Sequence, residues 1–260
     1  MPADANEPAH DAPDAAATPD PQRPGEPKRP HEPAERDLRA VERARMVELQ
    51  LAARGIEDPR VLEAMRTVPR EAFVPRSVSH DAYVDRPLPI EAGQTISQPY
   101  IVALMVEAAQ LGPDDRALEI GAGSGYATAV MSRLAGQVIG IERHRVLAEL
   151  AAERLQRLGY TNAEVRWGDG STGCPEHAPF DAILVAASGP GVPESLRAQL
   201  AAGGRLVMPV GSEHFAQRLV KVTRTADGGF REEELGGVAF VPLIGEEGWP
   251  DRGRAFGDEA

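Results

Sequence analysis

The sequence predicts an α/β protein: a doubly wound, mostly parallel Rossmann-like sheet, preceded by N-terminal helices and closed by an antiparallel C-terminal hairpin. Three observations predict it. From Arg116 to Val210, apolar strand-like runs alternate with helix-like segments, the pattern of right-handed βαβ units. The first of these runs enters a glycine-rich turn, LEIGAGSGY, at the carboxyl edge of the sheet, where open α/β folds bind ligands. Near the end, QRLVKVTRTADGGFREEEL reads as two strands turning at Asp227-Gly228-Gly229.

The elements follow in order. Residues 1 to 36 are dominated by Pro, Ala, Asp and Glu and lack Leu, Ile, Val and Phe, so they are expected to be a disordered tail. DLRAVERARMVELQLAARG predicts one helix, with Asp37 as N-cap and Gly55 as stop. Asp58-Pro59 opens a second helix that ends before Pro69. EAFVP and DAYVDRPLPI are expected to be mostly loop. PYIVALMVEAAQL is a helix ending at Gly112-Pro113. RALEI, QVIGIE, AEVRW, FDAILVAAS and RLVMPVG are the parallel strands. YATAVMSRLA, RVLAELAAERLQRLG and PESLRAQLAAGG are the helices between them, and VAFVPLI is a candidate last strand.

Composition narrows the function. The chain has 260 residues and a net charge of −12 with no cluster of Lys and Arg, which argues against nucleic acid as a partner. A lone cysteine, Cys174, cannot form an internal disulfide or a multi-cysteine metal site, so no metal is expected. The N-terminus lacks a signal-peptide pattern, and no apolar run reaches membrane-spanning length; cytoplasm is the expectation.

The glycine-rich turn has glycines at 121, 123 and 125, which permit a tight bend and close approach of a ligand to the backbone. A dinucleotide fingerprint needs its third glycine at position 126, which here is Tyr126. The second strand ends at Glu142, 19 residues after Gly123, where a carboxylate can accept from both ribose hydroxyls. After the third strand, Gly168-Asp169-Gly170 offers an acid for an adenine amino group. Each part alone also fits a structural turn or cap. In register, they look like an S-adenosylmethionine site. Candidate cofactor contacts are Glu119, Gly121, Gly123, Ser124, Gly125, Tyr126, Glu142, Arg143, Asp169 and Gly170.

Upstream lies GQTISQP, residues 93 to 99: hydroxyls, amides and no charge, immediately before a helix. Methyl transfer needs a positioned nucleophile, and a carboxylate is already ionised at neutral pH, so no general base is required. Hydroxyls and N–H groups orient a carboxylate without the tight grip of a full cation. Taken with MVELQLAARGI, DPRVLEAMRTVPREAFVP, AYVDRPLPIEAGQTISQPYIVALM, LEIGAGSGYATAVMSRL, GDGSTGCPEHAPFDAILVAA and VPLIGEEGW, the chain resembles the protein-L-isoaspartate O-methyltransferases. The resemblance runs from about Val41 to Trp249.

That resemblance implies an S-adenosylmethionine-dependent protein-repair enzyme. Its acceptor would be the free α-carboxylate of L-isoaspartyl residues, and the ester would collapse to a succinimide. It implies Ser97 as the catalytic residue, with Gln94, Thr95, Ile96 and Gln98 binding substrate. Ser97 also fits a plain helix N-cap. The chain departs from the family pattern at Ala186 and Ser188 in the strand-4 segment, at Cys174 and at Ala239. Rival readings are a methyltransferase for a small-molecule acceptor and a non-catalytic cofactor-binding relative. The expected organisation is a tail (1–36), a catalytic domain (37–249) and a flexible C-terminus (250–260). Within the domain, helices and the polar loop span 37–112 and the cofactor-binding sheet spans 113–249. A monomer acting on isoaspartyl proteins is expected.

Overall fold

The computed structural model describes residues 32–213 and 216–251, with side chains from residue 38 onward. Residues 1–31 of the expected 1–36 tail, and residues 252–260 of the expected 250–260 C-terminus, lie outside the described residues. The described residues begin with α1 (Glu32–Met46), so residues 32–36, expected as tail, are helical, and Asp37 sits inside the helix rather than capping it. The helix then widens into a π turn at Val47–Leu51 and tightens at Ala52–Arg54 before Gly55, whose φ is 95°. Both Val47 and Leu51 are fully buried there, which ties the irregularity to packing against the core. The second helix, α2 (Pro59–Thr67), has Asp58 as N-cap, its carboxylate accepting from Arg60 N–H, and Pro59 at the first helical position.

Short 3₁₀ turns follow, then β1 (Leu88–Pro89) pairs antiparallel with β2 (Thr95–Ile96). Their connection, Glu91–Gln94, is a tight turn in which Ala92 and Gly93 are both left-handed (φ 54° and 63°), the geometry that suits the twist of a hairpin. Next, α3 (Pro99–Ala109) ends at Gln110, at φ 50°, two residues before the expected Gly112-Pro113 stop. A glutamine takes that conformation because Arg205 binds the carbonyls of Ala109 and Gln110 and Lys221 binds the Gln110 side chain at 3.2 Å.

Beyond it come β3 (Arg116–Ile120), α4 (Tyr126–Met131), β4 (Gln137–Glu142), α5 (Arg145–Arg157), β5 (Ala163–Trp167), β6 (Phe180–Val185), α6 (Glu194–Ala198), β7 (Leu200–Gly211), β8 (Gln217–Arg224) and β9 (Phe230–Val238). They form one seven-stranded sheet in the order β5-β4-β3-β6-β7-β8-β9, parallel from β5 to β7 and antiparallel from there. The expected C-terminal hairpin is present, with Thr225 N–H bonded to Gly229 O at 2.9 Å.

Two expectations fail locally. α6 holds only five residues, because Leu200 already pairs with Phe180 and draws LAAGG into the long strand β7. VAFVPLI is not a regular strand: it touches the sheet through a bridge between Pro242 and Ser188, then arcs over the carboxyl edge.

β3 is buried on both faces, as a central parallel strand must be. Ala117 packs in one apolar cluster, while Leu118 and Ile120 pack in the other. The chain runs outward from β3 to β5 and then returns to place β6 beside β3 on its other side. This reversal opens a crevice at the carboxyl ends of the strands, the place where such sheets bind ligands.

Candidate active site

A cavity of about 980 Å³ occupies that crevice. Its floor is the turn after β3. Gly121, Gly123 and Gly125 are all left-handed, at φ 79°, 54° and 87°. The turn is stitched to the next strand: the N–H groups of Gly121 and Ala122 both donate to Ile141 O, at 2.8 and 3.2 Å. Gly123 N–H donates to Glu142 Oε2 at 2.9 Å, and His144 N–H donates to Oε1 at 2.8 Å. Glu142 is 5% exposed and lines the cavity. Each carboxylate oxygen has two acceptor directions, so a tethered Glu142 keeps capacity for ligand hydroxyls.

Glu119 lies deeper, fully buried, with the Thr128 hydroxyl as its hydrogen-bond partner. Burial pushes its pKa up to about 8, and the nearby Glu142 charge adds to the effect against the Thr128 bond. Tyr126 opens α4 and is buried beneath the cavity, its ring edge-on to Phe73 at 5.7 Å and 4.8 Å from the Arg70 guanidinium.

The opposite wall is the β1–β2 hairpin. Gln94, Thr95, Ile96 and Ser97 all line the cavity. Gln98 does not; it caps α3 and makes no side-chain cap bond. Ser97 is therefore not the helix cap, and Asp85 instead accepts from Tyr100 N–H at 3.0 Å. Among the described residues the Ser97 hydroxyl has no hydrogen-bond partner, while its carbonyl accepts from Arg70 Nη2 at 2.7 Å. Arg70 is fully buried and also donates to Ala82 O at 2.8 Å, so it locks the backbone that carries Ser97.

Asp169 sits at the margin of the cavity, in an adjoining depression shared with Trp167, Gly168 and Gly245, beside Arg143, Ile244 and Asp251, which line both depressions. Ser171 N–H and hydroxyl each donate to its Oδ1 at 2.8 Å, and Glu246 N–H donates to Oδ2 at 2.9 Å. Burial opposes ionisation of Asp169, but these bonds outweigh it and hold its carboxyl below the usual range. Its neighbour Gly170 does line the cavity. Gly125 does not; it faces α5, where an added Cβ would stand 3.1 Å from Ala151. Trp167 is 64% exposed, which excludes a core role, and donates to Arg143 O at 3.0 Å. Tyr83 and Asp85 are tied into the helical layer by Arg43 and Arg54.

The segment from Phe240 to Asp251 is the part of the site that residue patterns did not single out. Phe240 to Ile244 and Pro250-Asp251 roof the cavity. Glu247 anchors the roof to Ser195, accepting from its N–H at 3.0 Å, and Trp249 donates to Ser188 O at 3.0 Å. VPLIGEEGW carried only a resemblance, because an arc of this kind has no hydrophobic period.

The departures at Cys174 and Ala239 lie away from this chemistry. Cys174 is buried, its thiol pushed up to about 11 by burial and by the adjacent Glu176. Its sulfur, Glu176 and His177 lie within 4.8 Å of one another, but Arg166 sits 2.7 Å from His177 Nε2 and fills the position a cation would take. Ala239 is exposed beyond the end of β9. Ala186 lines the cavity, where an added Cβ on Gly121 would be 3.7 Å from its carbonyl carbon.

The charges decide what fits. Glu142, Glu213 and Asp251 bring carboxylates to the cavity, beside a Glu119 kept protonated by burial, and among the described residues one Lys or Arg lines it, Arg143, itself paired with Asp251 at 2.9 Å. Such a site repels a pyrophosphate and suits a cationic ligand bearing hydroxyls. The fold and site together define an α/β enzyme of the nucleoside-binding class, with an acid-lined glycine turn suited to a cationic ligand and an uncharged polar hairpin facing it. The protein-L-isoaspartate(D-aspartate) O-methyltransferase (PCMT) family matches residues 42–248, and the chain belongs to that family, whose enzymes use S-adenosylmethionine.

A protein-L-isoaspartate O-methyltransferase 1 of Rhodopseudomonas palustris (strain HaA2) is 60% identical over 81% of this chain and 86% of its own length. A second, from strain ATCC BAA-98 / CGA009, is 60% identical over 78% of this chain and 94% of its own. Among solved structures, a PCMT from Plasmodium falciparum in complex with S-adenosyl-L-homocysteine superposes with a TM-score of 0.67 at 30% identity, covering 78% of this chain and 98% of that one.

Proposed function

We propose that this chain transfers a methyl group from S-adenosylmethionine to the free α-carboxylate of L-isoaspartyl residues in damaged proteins. The observation that carries this is the facing of two unlike walls across one cavity: a tethered acidic turn and an uncharged hydroxyl-bearing hairpin.

The cofactor supplies an electrophilic methyl on a positive sulfur. Glu142 holds ribose hydroxyls, and the left-handed glycines let the backbone approach. Acidic lining residues complement the positive charge. On the other side, the free Ser97 hydroxyl and the hairpin N–H groups orient the acceptor. That acceptor is a carboxylate and needs no proton removed. Among the described residues no lysine or unpaired arginine lines the cavity to hold the carboxylate too tightly. Arg70 acts through the backbone, fixing Ser97 in place. The roof from Phe240 to Ile244 excludes water from the reacting groups.

Among the described residues no helix is long and apolar enough to cross a membrane. We place the enzyme in the cytoplasm, where a single buried Cys174 is at home. We propose that it acts there as a monomer.

The test uses two peptides of identical sequence, one with isoaspartate and one with aspartate, incubated with methyl-labelled S-adenosylmethionine. Base-labile methyl ester on the isoaspartyl peptide alone supports the assignment. Ester on neither peptide, with cofactor binding intact, refutes it in favour of another acceptor.

A further inference from the structure

The hairpin that carries Thr95 and Ser97 cannot hold itself. Its strands are two residues each, far below what an isolated hairpin needs. Its turn places a non-glycine residue, Ala92, at φ 54°, which an L side chain adopts only under constraint. Something outside the hairpin must fix it. The candidate is the ion pair between Arg154 Nη2 on α5 and Glu91 Oε1, the first residue of the turn, at 2.7 Å. The Arg154 side chain is 9% exposed and that of Glu91 31%.

α5 is also the helix that bears on the cofactor turn. It starts at His144, whose N–H binds Glu142. Ala151, one turn before Arg154 and on the same face, closes against Gly125. One rigid helix therefore touches the cofactor turn and the acceptor hairpin. The pair is also sensitive to loss of a member: Arg154 Nη1 and Glu91 Oε2 are buried without other partners, so removing one residue strands the other.

We infer that Glu91 and Arg154 are positioning residues that hold the acceptor hairpin in register with the cofactor turn through α5. This rests on the reading of the cavity as a methylation site. Neither residue touches the reacting atoms, so the pair acts on acceptor geometry and not on cofactor affinity.

The experiment compares the full chain with its Arg154→Met, Arg154→Lys and Glu91→Gln variants. Three quantities are read: KM and kcat for the isoaspartyl peptide, S-adenosylhomocysteine affinity by calorimetry, and amide hydrogen exchange across 90–97 without substrate. Arg154→Met is expected to raise peptide KM by about tenfold, the scale of one charge-assisted hydrogen bond, and to speed exchange in 90–97. Cofactor affinity should stay within about twofold, as for distant independent sites. Arg154→Lys should recover most of the KM, because it keeps a donor and the charge. Glu91→Gln, on the more exposed side, tests the same tie if Arg154→Met does not fold. Unchanged KM and unchanged exchange overturn the inference. So does a loss of cofactor affinity equal to the loss in KM, which marks a general disruption of α5. Should wild type fail to methylate the peptide, the proposed function falls, and hydrogen exchange alone decides whether the tie exists.

Discussion

The two walls of the cavity are built by different means. The cofactor turn is a continuation of regular structure. It hangs between β3 and β4 by backbone hydrogen bonds to Ile141 and by Glu142, which is itself the last residue of β4. The acceptor hairpin has almost no regular structure to lean on. It is fixed by side chains reaching from afar, Arg70 to Ser97 O and Arg154 to Glu91. The first wall is set by the sheet and the second by a few long-range contacts; in the proposed function the first serves a ligand common to many enzymes and the second the particular acceptor. Damage to one wall should therefore leave the other's ligand nearly untouched.

The largest break in that comparison should come from Glu142→Ala. It removes the carboxylate offered to the ribose and frees two backbone N–H groups. S-adenosylhomocysteine affinity should fall by about 1.5–3 kcal/mol, roughly ten- to hundredfold, as measured by calorimetry. Unchanged affinity would remove Glu142 from the cofactor wall. Ser97→Ala should act on the other wall: kcat on an isoaspartyl peptide drops by about 1–2 kcal/mol, roughly five- to thirtyfold, while cofactor affinity holds. Equal turnover of variant and wild type would contradict a catalytic Ser97.

A smaller effect separates the walls by pH. Folding raises the Glu119 pKa from its ordinary value of 4.5 to about 8. The folded state then binds this proton more tightly, so the stability it contributes is complete below about pH 4.5 and is lost as pH rises toward 8. Glu119→Gln keeps the shape without the charge. Its melting temperature should gain progressively on wild type between pH 4.5 and 8, and no further above that. A constant difference across that window would show that Glu119 is ionised in the fold.

The smallest effect should be Ala92→Gly, at the hairpin turn. Relief of the left-handed alanine exceeds the added unfolded-state entropy, for a net gain of about 0.5–1 kcal/mol in denaturant unfolding. Destabilisation would mean that the methyl group packs usefully in the turn.

Legibility in the sequence follows the same division. Alternating strand and helix patterns disclosed the parallel sheet, because they repeat with a backbone period, and the glycines disclosed the tight turn after β3, because only they adopt its left-handed geometry freely. The hairpin was legible as uncharged polar chemistry and through the family resemblance, but not as a hairpin, because two-residue strands leave no alternation to read. A strand-end acid before glycine fits both an adenine contact and a loop cap, so the role of Asp169 was not legible from its position alone. The structure uses it to fasten Glu246 and Ser171. The early stop of α3 depends on Arg205, ninety-five residues from Gln110, and no local pattern reports such a contact.

The most direct test of the two-wall account is amide chemical-shift mapping in two additions. S-adenosylhomocysteine should perturb residues 119–126, 142–144 and 170 first. An isoaspartyl peptide added next should perturb residues 94–97, and the matched aspartyl peptide should leave them still. Perturbation of 94–97 by neither peptide, or equally by both, would contradict the assignment of that wall to the isoaspartyl carboxylate.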